Sequence, residues 1–558
     1  MLGLTYPGLP LLVAAAVLAQ PLAAQPRSRT SDCRPGASVI LRLAATTDVH
    51  GHIRGWDYYN NRVDDDRGLS RAATIIDSVR GENPGRVILL DAGDLLQGTP
   101  LAYVAARLTK THVNPIVAAM NIMRYDAAAI GNHEFNYGVP YLDSAISQAR
   151  FAMLGANVSR AGLAHAYASY TIVNRSGVRV GVVGATTPGS NLWDASNLAK
   201  AELHVDDIVP AVRKAVTDAR AKGVDAIVVI LHSGLNELSS YDTVTTVVAS
   251  ENVAARVASE IAGIDVVVYG HSHRENKGQY IGRTLVIQPK NWATSVAVVT
   301  LPLACGDDRR WIAARATGVI VQSAGHAEQR AVVRAVQAAH RMTVSYVNSA
   351  IGTTPDAWRA DSSRAAPTAL MGFVLDVERR ATGADIASTA AFDLNARLGP
   401  GPITVAQLAQ LYPYDNTLRA VRISGLQLMA YLEYSNRYYK TDLTGALIPD
   451  TSVAGYNFDV VSGVNYTVDV RRPVGERVVN LTYHGKAVAP ADSFTLALNN
   501  YRQTGGGGYA MLRGAPVVYD KQQEIRQLLI DEVRRKHIVR ESDYDVKNWS
   551  FASPGTSH

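Results

Sequence analysis

Short runs of β-branched and aliphatic residues alternate with amphipathic segments from Val39 onward. The runs VILRLAATTD, RVILLDAGD, DAIVVILH and DVVVYGH are predicted to be strands, and LSRAATIIDSVR and NPIVAAMNIM to be helices between them. This alternation is typical of a sheet with helices on its faces. We therefore predict one α/β domain ending near residue 320, with a hairpin around Asn174 to Gly177 and a helix near 206–221.

The rest of the chain has a different organisation. The stretch between about 324 and 348 has helical spacing of its apolar residues, which predicts one long connector helix. From residue 352 to the end, helices such as TALMGFVLDVERRAT mix with strands such as FTLALNN, which predicts an α+β domain. The predicted units after the first segment are therefore 25–320, a connector in 321–351, and 352–558.

The first segment, residues 1–24, contains an apolar run followed by small residues around Ala23 and Ala24. This pattern is typical of a secretory signal peptide, so we expect a periplasmic or secreted protein. A membrane anchor is the alternative, but a span needs about 20 apolar residues and this run is shorter. We expect no stable membrane insertion.

Charge and cysteine content narrow the possible partners. The 55 basic and 49 acidic residues give a formal charge of only +6, and no long Lys/Arg run is present, so polymeric nucleic acid is not an expected partner. We expect a monomer.

Cys33 and Cys305 are the only cysteines. In an oxidising compartment they would form a disulfide, and two unrelated thiols are the alternative.

Polar side chains follow five of the predicted strands of the first domain. In open α/β sheets, functional groups collect beyond the carboxyl ends of the strands. One histidine near a strand end is usually structural, but such a set together predicts a metal centre, and these ligand types suit Mn, Zn, Fe or Co. The set is Asp48, His50, Asp94, Asn132, His133, His232, His271 and His273.

The stretch GNHEFNYG, Gly131–Gly138, is not the helix of a zinc protease. The HExxH motif needs a second histidine four places after the first, and Tyr137 stands there.

The motifs DxH, GDxxQG, GNHEF, HSG and GHxH, in this order, resemble the exported 5′-nucleotidase and cyclic-nucleotide phosphodiesterase family. LYPYDNTL, YNFDVVSGVNY and LALNNYRQTGGGGY are similar to the nucleotide-binding domain of that family. The resemblance implies an N-terminal four-layer α/β/β/α metallophosphoesterase domain, a connector helix and a C-terminal α+β nucleotide-binding domain. It also implies that the domains close or rotate on the connector during turnover.

The resemblance implies two divalent metal ions. One would be held by Asp48, His50 and His273, the other by Asn132, His232 and His271, with Asp94 bridging them. It places His133 beside the phosphate as a catalytic cation or proton donor. Close turns under the site are expected at four glycines, Gly51, Gly93, Gly131 and Gly270.

The second domain is expected to choose the leaving group. By resemblance, Tyr414 and Tyr501 sandwich a nucleobase, and Asn416 contacts it. The alternative is that both tyrosines are core aromatics.

Two departures separate the branches of the family. The 5′-nucleotidases carry an Asp in the glycine loop where this chain has Gly507, and an Arg in the segment that corresponds to Ser388–Asn395, which has none. We therefore predict hydrolysis of 2′,3′-cyclic nucleotides to 3′-nucleotides and of these to nucleosides. The alternatives are a 5′-nucleotidase or UDP-sugar hydrolase, and a binding protein without turnover.

Asn136 is an Asp in the 5′-nucleotidase branch. We predict that its amide oxygen orients His133 without supplying charge. Glu134 and Phe135 are interpreted as structural, with Glu134 in an outward hydrogen-bonding role.

Overall fold

The computed structural model describes residues 33–109, 113–163, 165–239, 241, 243–244, 246–414 and 416–552. The predicted signal peptide, residues 1–24, lies outside this set. In the part of the chain that is described, no helix combines the length and apolar character needed to cross a membrane.

The first domain contains two large sheets that pack face to face. The seven-stranded sheet comprises Trp311–Ala313, Ser295–Cys305, Ser38–Thr46, Val87–Asp91, Ala127–Ala129 and Ala152–Leu154 in spatial order, and Thr317–Gln322 also pairs with Ser295–Cys305. The six-stranded sheet has the order Asn276–Ile281, Thr284–Gln288, Val266–Tyr269, Ala226–His232, Val178–Thr186 and Tyr170–Arg175. The central strands of both sheets run parallel.

Side-chain alternation along the strands produces the layers. In Ser38–Thr46, Leu41 and Leu43 point into the core between the two sheets, whereas Ala44 points to helices on the outer face. Leu69–Glu82, Pro115–Met123 and Val139–Gln148 cover one sheet, and Ile208–Ala221 and Ala254–Glu260 cover the other. The predicted α/β/β/α arrangement is confirmed, as are the hairpin and the helix predicted near 206–221.

The connector helix is Arg330–Val347, and the side chain of Gln329 caps its first turn. The helix begins later than predicted because Gly325, with φ of 79°, forms a turn after the strand Thr317–Gln322. Its buried apolar residues Val332, Val336 and Val347 pack against the first domain. The predicted domain boundaries remain predictions.

The second domain is an α+β unit. Its five-stranded sheet has the order Asp459–Ser462, Ile386–Ala390, Ser493–Asn499, Thr417–Ser424 and Val517–Glu524. A four-stranded sheet contains Lys486–Ala487, Val478–Tyr483, Asn465–Val468 and Trp549–Phe551. The main helices are Ala369–Thr382, Val405–Leu411, Gly425–Ser435 and Ile525–Lys536.

Shorter elements complete the chain. The short helices include Pro100–Tyr103, a π-helical turn Val104–Leu108, Ser190–Trp193, Ala195–Lys200 and Asn500–Gln503, and the 3₁₀ turns include His133–Phe135, Gly455–Asn457 and Gly506–Gly508. The two-stranded pairs are Trp56–Asp57 with Arg62–Val63, Val158–Arg160 with Leu203–Val205, Ala350–Thr354 with Gly401–Thr404, Trp358–Arg359 with Arg397–Leu398, and Tyr439–Thr441 with Leu447–Pro449.

A disulfide joins Cys33 to Cys305, whose Cα atoms are 5.8 Å apart. It ties the residues before the first strand to the end of the neighbouring antiparallel strand, Ser295–Cys305. Of the two alternatives left open by the sequence, the bridge is therefore observed.

Candidate active site

The polar residues predicted at five strand ends meet at one rim of the paired sheets. Asp48, Asp94 and Asn132 follow strands of the seven-stranded sheet, and His232 and His271 end or follow strands of the other. Their side chains form two groups. Within each group, the potential ligand atoms all lie within 4.8 Å of one another. The groups are Asp48, His50 and His273, and Asp94, His232 and His271.

In the first group, the Nε2 atoms of His50 and His273 face each other at 2.9 Å. The Nε2 atom of His273 lies 3.5 Å from Asp48 Oδ1. The Nδ1 atom of His50 lies 2.9 Å from the carbonyl oxygen of Gln97, so Nδ1 carries the proton and Nε2 presents a lone pair. Such a backbone contact is typical of a histidine that binds a metal through its other nitrogen.

In the second group, too, one ring nitrogen of each histidine is held by an oxygen atom. The Nδ1 atom of His232 donates to the carbonyl oxygen of Ala92 at 2.8 Å, which directs Nε2 toward Asp94 Oδ2 at 3.0 Å. The Nε2 atom of His271 lies 2.7 Å from Glu251 Oε1, which leaves Nδ1 to face the centre.

Asn132 and Asp94 complete the centre. The amide oxygen of Asn132 is 3.1 Å from His232 Nε2. The Asp94 Oδ2 atom is 3.0 Å from His232 Nε2, 3.7 Å from His50 Nε2 and 3.9 Å from His133 Nε2. Asp94 therefore lies between the two groups.

Burial and charge act against each other at these residues. Burial opposes ionisation of Asp48, but the hydrogen bond and charge of His273 outweigh it and lower the pKa to about 2. Burial also opposes protonation of His232, but Asp94 raises its pKa to about 10. Burial, reinforced by the neighbouring His273 and His133 and opposed by Asp94, lowers the pKa of His50 to about 3. The site thus concentrates negative charge where a cation would compensate it.

Oxygen and imidazole donors that converge in this way fit two divalent ions. His50, His232 and His271 each have one ring nitrogen held by a backbone or carboxylate oxygen, which leaves the other nitrogen for the centre. Two imidazole nitrogens at 2.9 Å are best explained by a cation that both could bind.

The backbone of the site is unusual. A positive φ outside glycine is uncommon, because the Cβ atom crowds the backbone there. At Gly131 and Gly270, an added Cβ atom would come within 2.2 Å of Asp94 and 2.0 Å of Thr47, which confirms the close turns predicted at these glycines. Five candidate ligands have φ between 49° and 71°, namely Asp48, His50, Asp94, His271 and His273.

Glu134 is structural, as predicted, but it does not point outward. Its side chain is fully buried, and its carboxylate accepts the backbone N–H groups of Gly131, Asp94, Leu95 and Leu96 at 2.6–3.0 Å. The sequence analysis predicted an outward hydrogen-bonding role for this side chain. Here four backbone donors replace water, so burial is tolerated.

His133 and Asn136 form the predicted pair. The Nδ1 atom of His133 lies 2.6 Å from the amide oxygen of Asn136. The other ring nitrogen, Nε2, points toward Asp94 at 3.9 Å, and the side chain is 37% exposed. The imidazole is therefore held at one edge and open to solvent at the other.

Two residues of the site have no signal in the sequence motifs. Glu251 supports His271, and Asp194 accepts a hydrogen bond from Asn136 at 2.8 Å. Burial raises the pKa of Asp194 to about 6, although hydrogen bonds and nearby positive charge oppose the shift. Both come from loops far from the motifs, so only the fold brings them to the centre.

The tyrosines of the second domain are open to solvent. Tyr414 is 46% exposed and Tyr501 is 43% exposed, so neither is a core aromatic. The ring of Phe392 contacts Tyr414 edge-on at 5.0 Å. Asn416 is partly buried, and its carbonyl oxygen accepts the N–H of Ile525 at 3.0 Å.

The two domains are in contact near these tyrosines. The hydroxyl of Tyr59 donates to the carbonyl of Pro413 at 3.2 Å. The side chain of Arg502, next to Tyr501, is buried and pairs with Asp459 through two 2.8 Å bonds. This pair anchors the helix Asn500–Gln503 while Tyr501 projects outward.

Comparison with known proteins agrees with the site. Residues 41–275 match the calcineurin-like phosphoesterase family, and residues 350–514 match the 5′-nucleotidase C-terminal domain family. The chain is 32% identical to a 2′,3′-cyclic-nucleotide 2′-phosphodiesterase/3′-nucleotidase of Haemophilus influenzae, over 92% of this chain and 88% of that protein.

The chain belongs to the 5′-nucleotidase/metallophosphoesterase family.

As a member of this family the protein is a metal-dependent phosphoric ester hydrolase of two domains. It is also 30% identical to a trifunctional nucleotide phosphoesterase of Bacillus subtilis, over 92% of this chain but only 39% of that protein, so it spans about two fifths of that relative. A solved structure of a candidate 5′-nucleotidase from Staphylococcus aureus superposes with a TM-score of 0.75, at 26% identity, over 92% of this chain and all of the other.

The glycine loop leaves little space for a side chain at position 507. Gly507 has φ of 72°, and an added Cβ atom would lie 2.3 Å from both Arg502 Nη1 and Asn457 Oδ1. A larger residue at this position would have to displace Arg502 or Asn457.

Proposed function

We propose that this protein hydrolyses 2′,3′-cyclic nucleotides to 3′-nucleotides and then removes the 3′-phosphate to leave nucleosides. The observation that carries the proposal is the similarity, along nearly the whole of both chains, to an enzyme named for this pair of reactions. The packing at Gly507 supports the same branch.

Two bound divalent ions would neutralise the phosphate and lower the pKa of an attacking water. Their proposed ligands are Asp48, His50 and His273 for one ion, Asn132, His232 and His271 for the other, and Asp94 for both. Mn, Zn, Fe or Co suits this donor set.

The proposed function consists of two hydrolysis reactions at phosphorus, and residues of this chain would assist the leaving oxygen and bind the base. In the first reaction, water adds to phosphorus and the bond from phosphorus to O2′ breaks. In the second, another water adds to phosphorus and the bond from phosphorus to O3′ breaks. The open Nε2 edge of His133 is proposed to donate to the departing oxygen, while Asn136 fixes the ring. The solvent-exposed rings of Tyr414 and Tyr501 are proposed to stack on the base, with Asn416 beside it.

We also propose that the protein is exported to the periplasm or secreted, and that it acts as a monomer. The Cys33–Cys305 disulfide supports export, because structural disulfides persist in oxidising compartments.

A 5′-nucleotidase or UDP-sugar hydrolase is the second candidate, favoured by the likeness to the Staphylococcus aureus structure. Assays of 2′,3′-cyclic AMP, 3′-AMP, 5′-AMP and UDP-glucose, each with Mn²⁺, separate the two. We expect the first two substrates to have the higher kcat/KM. Faster turnover of 5′-AMP would overturn our choice.

The third alternative, a binding protein without turnover, is addressed by Asp94→Ala. We expect this variant to lose hydrolysis of every substrate, because Asp94 lies between both ligand groups. Unchanged hydrolysis would refute the catalytic role of the centre.

A further inference from the structure

The carboxylate of Asp194 is buried next to the catalytic pair. Its Oδ2 atom accepts a hydrogen bond from Asn136 Nδ2 at 2.8 Å, and its Oδ1 atom lies 3.4 Å from Asn197 Nδ2. Asp194 occupies the N-cap position of the helix Ala195–Lys200, where an Asp normally accepts a backbone N–H, yet it makes no such bond. Its carboxylate is therefore directed to the Asn136 amide instead of the helix.

This contact decides which way the amide of Asn136 faces. A carboxylate accepts hydrogen bonds and does not donate them, so the NH₂ group of Asn136 must face Asp194. The amide oxygen then faces His133 Nδ1, at 2.6 Å, and this nitrogen must carry a proton. Asp194 thus fixes the orientation of the His133 ring with a proton on Nδ1, and Nε2 can donate to a leaving oxygen when it is protonated as well, in the imidazolium form.

The segment that carries Asp194 is held by the other domain. Arg419, on the strand Thr417–Ser424, reaches the carbonyl oxygens of Leu192 and Trp193 at 3.4 Å. The same guanidinium donates to Gln503, at the end of the helix that carries Tyr501. Arg419 is 3% exposed, so these contacts form inside the domain interface.

We propose that Asp194 is a positioning residue for His133, acting through Asn136, and that Arg419 fixes the segment of Asp194 when the nucleotide-binding domain is docked. The proposal rests on the proposed role of His133 at the leaving group. A continuous path of contacts then joins the base-stacking helix to the catalytic imidazole, by way of Gln503, Arg419, Leu192–Asp194 and Asn136.

The first test compares substrates whose leaving groups need different amounts of help. For Asp194→Ala we expect kcat on 3′-AMP to fall about 10- to 100-fold with little change in KM, because positioning acts on the transition state. The phenolate of p-nitrophenyl phosphate leaves without a strong donor, so its kcat should fall much less. Equal losses on both substrates would overturn the proposal.

Two further variants control for structural damage. Asp194→Asn keeps an acceptor oxygen for Asn136 and should retain more of the kcat than Asp194→Ala. Asn191→Ala removes two hydrogen bonds to Val205 from the helix Ser190–Trp193, which directly precedes Asp194. We expect Asn191→Ala to lower the thermal midpoint and leave the ratio of the two kcat values unchanged. A changed ratio in this control would mean that general loosening explains the effect.

The amide of Asn136 and the carboxylate of Asp194 can also be exchanged. Asn136→Asp alone puts two carboxylates in contact, and we expect it to lower kcat on 3′-AMP. Combined with Asp194→Asn, the new carboxylate at position 136 accepts from both His133 and the new amide at position 194. We expect this double variant to recover most of the kcat lost in Asn136→Asp. A double variant no better than the single one would contradict the proposed chain of bonds.

The role of Arg419 is tested by a double-mutant cycle. Arg419→Lys keeps the charge but loses the forked contact with two carbonyl groups. We expect it to lower the kcat for 3′-AMP in the wild type, and to have a smaller effect in the Asp194→Ala background. Additive effects would show that Arg419 acts independently and would overturn its part of the proposal.

A wrong substrate assignment and a wrong positioning role for Asp194 would give different assay results. If the wild type does not hydrolyse 3′-AMP, the substrate assignment is wrong, but the comparison with p-nitrophenyl phosphate can use whichever nucleotide is turned over. If the wild type hydrolyses 3′-AMP and the Asp194 variants behave as the Asn191 control does, only the positioning role is refuted.

Discussion

Glu134 and Asp94 lie on different loops, and the carboxylate of Glu134 accepts the backbone N–H of Asp94 at 2.9 Å. The carboxylate of Asp94 in turn accepts the backbone N–H of His133 at 2.8 Å. The two loops therefore hold each other, and the proposed bridging carboxylate owes its position to a residue that touches no ligand atom.

Glu134→Gln should weaken metal binding. The amide replaces an acceptor by a donor that faces backbone N–H groups, so the loop around Asp94 must shift. Loss of such supporting contacts typically costs about 10- to 100-fold in metal affinity. Titration of the metal-free protein with Mn²⁺ measures this, with Glu82→Gln on the exposed end of a helix as the control. An unchanged affinity would be inconsistent with the support we assign to Glu134.

Metal removal should lower the thermal midpoint of the protein. An ion that binds only the folded state stabilises it by about 2.7 kcal/mol at a concentration 100 times its Kd. We expect Mn²⁺ to raise the midpoint of the chelator-treated wild type but to have a much smaller effect on Asp94→Ala. Scanning calorimetry measures both. Equal shifts in the two proteins would place the stabilising ion elsewhere.

Glu524→Gln should alter the pH dependence of stability. Glu524 lies in an interdomain cavity with Tyr103 and Tyr346, and its Oε2 atom is buried without a hydrogen-bond partner among the described residues. Burial raises its pKa to about 7, from 4.5. The folded state therefore binds the proton more tightly, and its contribution to stability is complete below pH 4.5 and is lost as the pH rises through 7.

The Gln side chain stays neutral, so Glu524→Gln should be more stable than the wild type at pH 8 and nearly equal to it at pH 5. Thermal midpoints at the two pH values measure the difference, with exposed Glu476→Gln as the control. If the thermal midpoint of Glu524→Gln changed with pH as much as that of the wild type, another group would be responsible for the pH dependence.

Removal of the disulfide should destabilise the first domain. The bridge closes a loop across 272 residues, and loss of a native disulfide typically costs about 2–5 kcal/mol. We expect the double variant Cys33→Ala with Cys305→Ala to unfold at a lower temperature and to be insensitive to dithiothreitol. The wild type should shift to the same midpoint on reduction. A wild type that is equally stable with and without reductant would argue against this contribution.

Gly507→Asp should not create a 5′-nucleotidase. The side chain would meet Arg502 and Asn457, and the backbone at φ of 72° disfavours it. We expect lower stability and no rise in the ratio of 5′-AMP to 3′-AMP turnover. Gly514→Asp is a matched control, since Gly514 has φ of 73° but open space around it, and it should cost only about 1–2 kcal/mol. A raised ratio in Gly507→Asp would mean that the loop can adapt.

The layers and the convergence of the two candidate ligand groups could be predicted from the sequence because their signals are local. Each ligand lies beside the end of a hydrophobic strand, and parallel strands bring their carboxyl ends to one rim. The pairing of Asn136 with His133 was also predictable, since three residues along a helical turn bring side chains together.

The supporting residues could not be predicted in this way. Glu251 reaches His271 from a loop with no regular pattern, and Asp194 reaches Asn136 across 58 residues of sequence. The orientation of Glu134 depends on backbone N–H groups of a separate loop. Such contacts follow from tertiary packing, which a single sequence does not display.

The left-handed backbone of the ligands has a consequence for protein engineering. Such conformations cost about 1–3 kcal/mol each outside glycine, and five candidate ligands adopt them. A library selected for heat resistance in the presence of a chelator, where no ion stabilises the fold, would therefore reward glycine at positions such as His50 and His273. Directed evolution of this protein would have to select for turnover in every round, or the most thermostable clones would be those that had discarded the metal centre.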